Sequence, residues 1–356
     1  MRRVFVLVPS LRRTGPVIGA AALANSLSSI CDVTLVALKG KTGAAPHIDR
    51  RVRVVSLSAH RRWPARVKAY RALLKESGGR SQTASLSSCF SADMVNVMCG
   101  SLAFTCASVR GNLPMNYRFD YGVAGRPLAA VHLTCLRACD AVVVMTDAMA
   151  RQVRPYIGAD PEVIGNFVDE SHLERYRAAP SVDGPFRFVF LGSLTARKQP
   201  LVLLDAVSEL TESGFGIHLD LFGDGPLRSR IEERIRQLRL DRVVSMHGSC
   251  NEPYDTLARA DAMVLPSLSE GLSRASLEAL YLGVPCVLRA VDGNAELIRE
   301  GVNGTLFRET ASLAGAMMAT AAWSRARTGK RDSLLLEAYR QQSVVRKYLA
   351  LLDRAQ

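Results

Sequence analysis

Residues 186–210 read FRFVFLGSLTARKQPLVLLDAVSEL. A run of aromatic and aliphatic residues, Phe186–Leu191, stops at Gly192. A polar loop with Arg197 and Lys198 follows, and Pro200 opens a segment with apolar residues at helical spacing. A near-continuous apolar run ended by glycine suits a strand buried on both faces, and proline is at home in a helix's first turn. The pattern then repeats. HLDLFG, VVSMHG, AMVLP and PCVLRA read as further strands, with LRSRIEERIRQL, YDTLARA and SRASLEALYL as helices between them. Strict alternation of this kind predicts a parallel sheet with helices on both faces.

The amino-terminal half opens the same way, with VFVLVP, a helix-like AALANSL and the strand DVTLVAL; ACDAVVVMTDAMARQV later reads as strand, turn and helix. A chain of 356 residues exceeds one small core. The fold class predicted is α/β, two doubly wound Rossmann-like domains facing a central cleft. Residues 1–168 form the first domain. Residues 169–185 form a linker, where apolar periodicity is lost and Pro and Gly appear. Residues 186–335 form the second domain, and 336–356 a terminal helix able to pack on either domain, including back on the first.

Composition is that of a globular protein, 48% apolar and 22% charged. The aromatic share of 6% argues against a stacking platform for nucleic acid. Eight cysteines scattered from Cys31 to Cys286 include no CxxC pair, and read as free thiols in a reducing compartment. Cys135 and Cys139 share a helical face without a histidine pair, and the six histidines show no metal spacing, so no metal site is expected. The opening MRRVFVLVPS reads as a strand rather than a signal peptide, because Arg12 and Arg13 follow at once. No stretch approaches the roughly 20 apolar residues of a membrane span. A cytoplasmic protein is expected, one that also suits the inner face of the membrane as a peripheral protein.

The net charge of +13 is uneven: residues 1–170 carry 22 Lys+Arg against 11 Asp+Glu. Within RRWPARVKAYRALLK, Trp63, Val67, Tyr70 and Leu74 share one helical face flanked by Arg62, Arg66, Lys68, Arg71 and Lys75. Residues 50–80 thus suit an anionic membrane surface or a wall for an anionic acceptor. They equally suit an ordinary amphipathic helix with a solvated basic side.

Three strand-end loops of the second half carry the chemistry. In the first, Arg197 and Lys198 precede a helix N-terminus, a setting that suits a diphosphate. In the second, Gly223 and Gly225 of FGDGP permit close approach of backbone to a ligand, and the missing third glycine disfavours a nicotinamide site. In the third, SEGLSRASLEALYLGVP at 269–285, Glu270 and Glu278 stand eight apart around Gly271, Leu272 and Ser273. Glu270 suits sugar hydroxyls and Glu278 a ribose. Ser267-x-x-Glu270 also reads as a capping box, and Glu278 as a solvated side chain. The GKT at 40–42 lacks the glycine of a P-loop five residues earlier, at Leu35.

The succession GSLTARK, FGDGPLRSRIE, MHG, LARADAMVLPSLSEGLSRASLEALYLGVPCV, GNAELI and GVNG, from Phe186 to Phe307, resembles the carboxyl domain of the retaining GT-B glycosyltransferases, family 4. The paired glutamates match that family's E-x7-E signature. The resemblance implies a donor sugar held by Glu270 and the backbone of Gly271, Leu272 and Ser273, and a ribose held by Glu278. It implies a leaving diphosphate neutralised by Lys198 with Arg197, near Gly192, Ser193, Gly223, Gly225 and His247, and no required metal or other cofactor. Where the family has Arg after the strand-end glycine, this chain has Ser193. SLRRTGP at 10–16 matches the family's first loop and puts Gly15 near the diphosphate or the acceptor. The family's cleft histidine is absent from VRGNLPMNYRFDYG at 109–122, which resembles a cell-surface polysaccharide subgroup, and Arg110 stands at that position.

The function this implies is transfer of a hexose, with retention, from a UDP- or GDP-linked sugar to a glycan or lipid-linked acceptor in lipopolysaccharide or capsule synthesis, the first domain lying on the acceptor side. A nucleotide-sugar epimerase or phosphorylase of the same fold is the alternative within the architecture. A non-catalytic basic binding protein is the alternative outside it, though no nucleic-acid motif appears.

Overall fold

A computed structural model describes residues 2–40, 46–178, 184–327, 329 and 331–354. The chain divides into two compact units, Met1–Phe167 with Ala338–Gln356, and Val168–Glu337. Lys41 and Thr42 of the GKT stretch and part of the expected linker, 179–183, lie outside the described residues.

The first unit contains β1 (Arg3–Val8), α1 (Gly15–Leu27), β2 (Asp32–Ala37), β3 (Arg53–Ser56), α2 (Trp63–Lys75), β4 (Thr83–Ser88), α3 (Phe90–Val97), β5 (Phe104–Ser108), α4 (Leu113–Tyr121), α5 (Gly125–Cys135), β6 (Ala141–Val144), α6 (Asp147–Ile157) and β7 (Glu162–Val163). Its seven strands are all parallel, in the order β3-β2-β1-β4-β5-β6-β7. The order reverses between β1 and β4, the doubly wound arrangement.

The second unit contains α7 (Glu170–Glu174), β8 (Phe186–Leu191), α8 (Pro200–Glu212), β9 (Ile217–Phe222), α9 (Arg228–Gln237), β10 (Val244–Gly248), α10 (Tyr254–Arg259), β11 (Ala262–Leu265), α11 (Arg274–Tyr281), β12 (Cys286–Arg289), α12 (Asn294–Leu297), β13 (Gly304–Phe307) and α13 (Leu313–Arg325). Six parallel strands run β10-β9-β8-β11-β12-β13, with the switch between β8 and β11. Phe188, Val189 and Phe190 of β8 and Met263, Val264 and Leu265 of β11 are fully buried, so the apolar runs of the sequence are the sheet's centre.

Three local expectations meet tertiary structure. Within 169–185, Glu170–Glu174 is a helix rather than linker. Asp169 caps it by accepting from the His172 amide, and Tyr281 donates to Glu174 at 2.8 Å, anchoring it on α11. The apolar face of α2 is the core of its own unit: Val67, Tyr70 and Leu74 pack with Phe5, Leu7 and Val36, leaving Arg62, Lys68 and Lys75 to solvent. That face is therefore not open to a bilayer. The terminal helix α14 (Gln341–Asp353) packs on the first unit, where Val344, Tyr348, Leu351 and Leu352 join the cluster of Val4, Val6 and Leu35.

Candidate functional site

β8 and β11 are neighbours at the switch point of the second sheet, and parallel strands bring the loops after both to the same edge. After β8, Ala196–Lys198 makes one 3-10 turn, and Gln199 takes a left-handed conformation (φ 54°) before Pro200 starts α8. The Leu268 amide donates to the Arg197 carbonyl at 2.8 Å, tying this loop to the one after β11.

Three charged side chains meet there. Lys198 Nζ donates to Glu270 Oε1, and Arg197 Nη1 donates to the same oxygen at 3.4 Å and to the Ser269 carbonyl at 2.6 Å. Lys198 and Glu270 are both buried. Burial pushes the Glu270 carboxyl up, but Lys198 and Arg197 pull it down further, so it sits below the usual carboxylate range and stays ionised. Burial is also the largest influence on Lys198 and holds its ammonium below the usual lysine value, against the pull of Glu270. Two cations sharing one carboxylate oxygen keep unspent donors beside a helix N-terminus, a setting for a phosphate.

Asp292 completes the loop, although nothing in its local sequence beyond an Asp-Gly turn marks it. With φ at 42°, its Oδ2 accepts from Ser269 Oγ at 2.8 Å and from the Glu270 amide at 3.1 Å. Ser267 and Glu270 do not form the capping box that their spacing also allows. Ser273 is the N-cap of α11, accepting from the Ser276 amide at 3.4 Å. Gly271, Leu272 and Ser273 are buried in the turn that enters α11. Glu278 is buried too, not solvated: it accepts from Arg274 Nε at 3.1 Å and from the Tyr254 hydroxyl at 3.4 Å.

The glycines of the second loop are steric necessities. A β-carbon on Gly223 (φ 143°) would stand 1.8 Å from the Gly192 carbonyl oxygen, and one on Gly225 2.6 Å from the Leu194 carbonyl oxygen. Gly192 itself packs beside the Lys198 stem, and Ser193 is exposed. His247 stacks on Phe222 at 4.3 Å and bonds the buried Asp220 carboxylate at 2.7 Å. Gly15 and Arg110 belong to the first unit. Gly15 begins α1 with open space where a β-carbon would go. Arg110 follows β5 and donates to Asn166 at 3.2 Å. Among the described residues no three His, Cys, Asp or Glu side chains gather as a metal site.

Residues 174–320 match the model of the glycosyl transferases group 1 family. A candidate colanic acid biosynthesis glycosyltransferase, WcaL of Salmonella typhimurium, is 27% identical over 61% of this chain and 57% of its own. The glycogen synthase of Mycobacterium tuberculosis is 27% identical over 55% of this chain and 49% of its own. The chain thus spans about half the length of these relatives. In fold it is similar to sucrose-phosphate synthase from Thermosynechococcus elongatus (TM-score 0.79, 16% identity, 99% of both chains). It is also similar to Anabaena HepE solved with UDP-glucose (TM-score 0.75, 16% identity, 99% of this chain and 100% of that one). The two parallel-sheet units have the GT-B glycosyltransferase fold. Residues 174–320 are thus similar to the glycosyl transferases group 1 family.

Proposed function

We propose that this protein is a retaining hexosyltransferase acting in surface polysaccharide synthesis, moving a hexose from a UDP- or GDP-linked sugar to a glycan or lipid-linked acceptor. The observation that carries the reading is the convergence of Lys198 and Arg197 on Glu270 at the switch-point edge of the second sheet. Relatives named for colanic acid synthesis, and a similar fold described as a lipopolysaccharide outer core galactosyltransferase, support the acceptor class. The UDP and UDP-glucose in the HepE structures support the donor class. Eight free cysteines suit a reducing, cytoplasmic setting.

In this reading Lys198 and Arg197 take the charge that develops on the leaving diphosphate, and Glu270 orients the donor sugar through its hydroxyls. Glu278 holds the ribose. In a front-face displacement the departing phosphate oxygen accepts the acceptor's proton, so the protein supplies position and charge rather than a base. Arg110 and Gly15 are assigned to donor or acceptor contacts from the first unit. No metal is assigned a role.

Calorimetric titration with UDP, GDP and ADP in EDTA tests the reading. One nucleotide is expected to bind, and Lys198→Ala to weaken it at least tenfold, about 1.4 kcal/mol. Binding of that nucleotide unchanged in Lys198→Ala would remove the diphosphate assignment.

A further inference from the structure

At the amino ends of β1, β2 and β3, away from the strand-end loops that carry Gly15 and Arg110, lies a cavity of about 200 Å³. Strand alternation builds it. Phe5, Thr34 and Arg53 are register partners across the three strands and form one row of the face that α2 covers. The last turn of α2 closes the other side with Leu73 and Glu76.

The polar groups of the cavity are unevenly matched. Arg3 and Asp32, in the row before, stand 3.8 Å apart, and Arg3 Nη1 also donates to the Glu76 carbonyl at 3.4 Å. The Arg53 guanidinium and the Glu76 carboxylate line the same cavity, yet among the described residues neither group has a partner. Thr34 is 6% exposed, and its hydroxyl likewise has no partner within the protein. Leaving a buried hydroxyl unbonded costs free energy that a polar group entering the cavity would recover.

These groups fit one kind of molecule. Arg53 offers a planar fork of donors to a carboxylate. Glu76 caps the carboxyl end of the 13-residue helix α2, the negative end of its dipole, and both favour an ammonium. Lys75, the neighbouring cation, does not line the cavity. Phe5 and Leu73 add apolar surface. The volume is below the roughly 300 Å³ at which pockets for drug-sized ligands begin, so the occupant is small. A sugar would leave both formal charges unmatched.

We propose that this cavity binds a small zwitterion, an α-amino acid with an aliphatic side chain. Its carboxylate meets Arg53 and Thr34, its ammonium meets Glu76, and its side chain lies against Phe5 and Leu73. The site stands independently of the transfer reaction.

The test is calorimetric titration of the full chain with L-leucine, isocaproate, isoamylamine and glucose. L-leucine is expected to bind, and the two probes with a single charge to bind at least about tenfold more weakly. Arg53→Gln and Glu76→Gln, both at exposed residues, should each weaken L-leucine at least about tenfold while melting like the wild type. Thr34→Val should weaken it less. Absence of saturable L-leucine binding overturns the proposal, as does binding that Arg53→Gln and Glu76→Gln leave unchanged. Glucose binding tighter than that of L-leucine and abolished in Arg53→Gln would overturn it too, by making the ligand a sugar.

Discussion

The Lys198 ammonium and the Glu270 carboxylate, 72 residues apart in sequence, form a buried ion pair with Arg197 3.4 Å from the same oxygen. Removing one member of such a pair leaves the other charge short of its partner. Glu270→Gln is expected to lower unfolding free energy by about 3 kcal/mol in urea. Lys198→Met/Glu270→Leu should cost less than the sum of its single changes, and strict additivity in that double-mutant cycle would contradict the coupling.

The same pair sets a pH dependence with a definite sign. Glu270 titrates below its ordinary 4.5 in the folded protein, chiefly because Lys198 and Arg197 outweigh its burial. Its stabilisation is therefore complete above 4.5 and is lost as pH falls through the lower folded value. Lys198, lowered from 10.5 by burial, has the opposite sense: its charge weakens the fold until pH rises from the folded value toward 10.5. Urea midpoints measured against pH should show a smaller acid-side decline in Glu270→Gln and no alkaline gain from this group in Lys198→Met.

Two glycines among the candidates should behave in opposite ways. Gly223→Ala forces a β-carbon to 1.8 Å from backbone at a φ of 143°, so the loops after β8 and β9 must separate. Loss of about 3 kcal/mol or more and loss of nucleotide binding are expected, as strain and clash combine. Gly15→Ala meets open space at the start of α1 and should hold or raise stability by about 0.4–1 kcal/mol. If Gly15 also approaches a ligand, its alanine variant melts normally yet turns over slowly, and equal turnover would remove that role.

The terminal helix α14 is a structural part of the first unit. Leu352 is 1% exposed within the cluster that includes Val4 and Leu35. Leu352→Ala is expected to cost about 3 kcal/mol, with amide exchange accelerating in β1 and β2 and not in β8 or β11. Acceleration confined to the second sheet would contradict that placement.

Much of the second unit was legible because its strands are written in Phe, Val, Leu and Met, which have little use except burial. The strand-end positions of Arg197, Lys198, Gly223 and Glu270 followed from that reading and from the resemblance to a glycosyltransferase motif. In the first unit β4, TASLSS, is buried along its whole length but carries four hydroxyl side chains, so apolar periodicity could not mark it. Its polar atoms are satisfied by distant groups, as Asn96 donating to the Ser85 carbonyl and to Ser87 Oγ, each at 3.1 Å.

What the sequence by itself determined, then, was alternation, since a continuous apolar strand and an amphipathic helix are each set by residues close together in the chain. The tertiary structure alone decided which loops meet, which amphipathic face is covered and which charge finds a partner. The order of β8 beside β11 brings Lys198 to Glu270, and the sheet of β1 and β2 takes the apolar face of α2. Those outcomes depend on contacts between residues far apart in the chain, and local pattern carries no information about them.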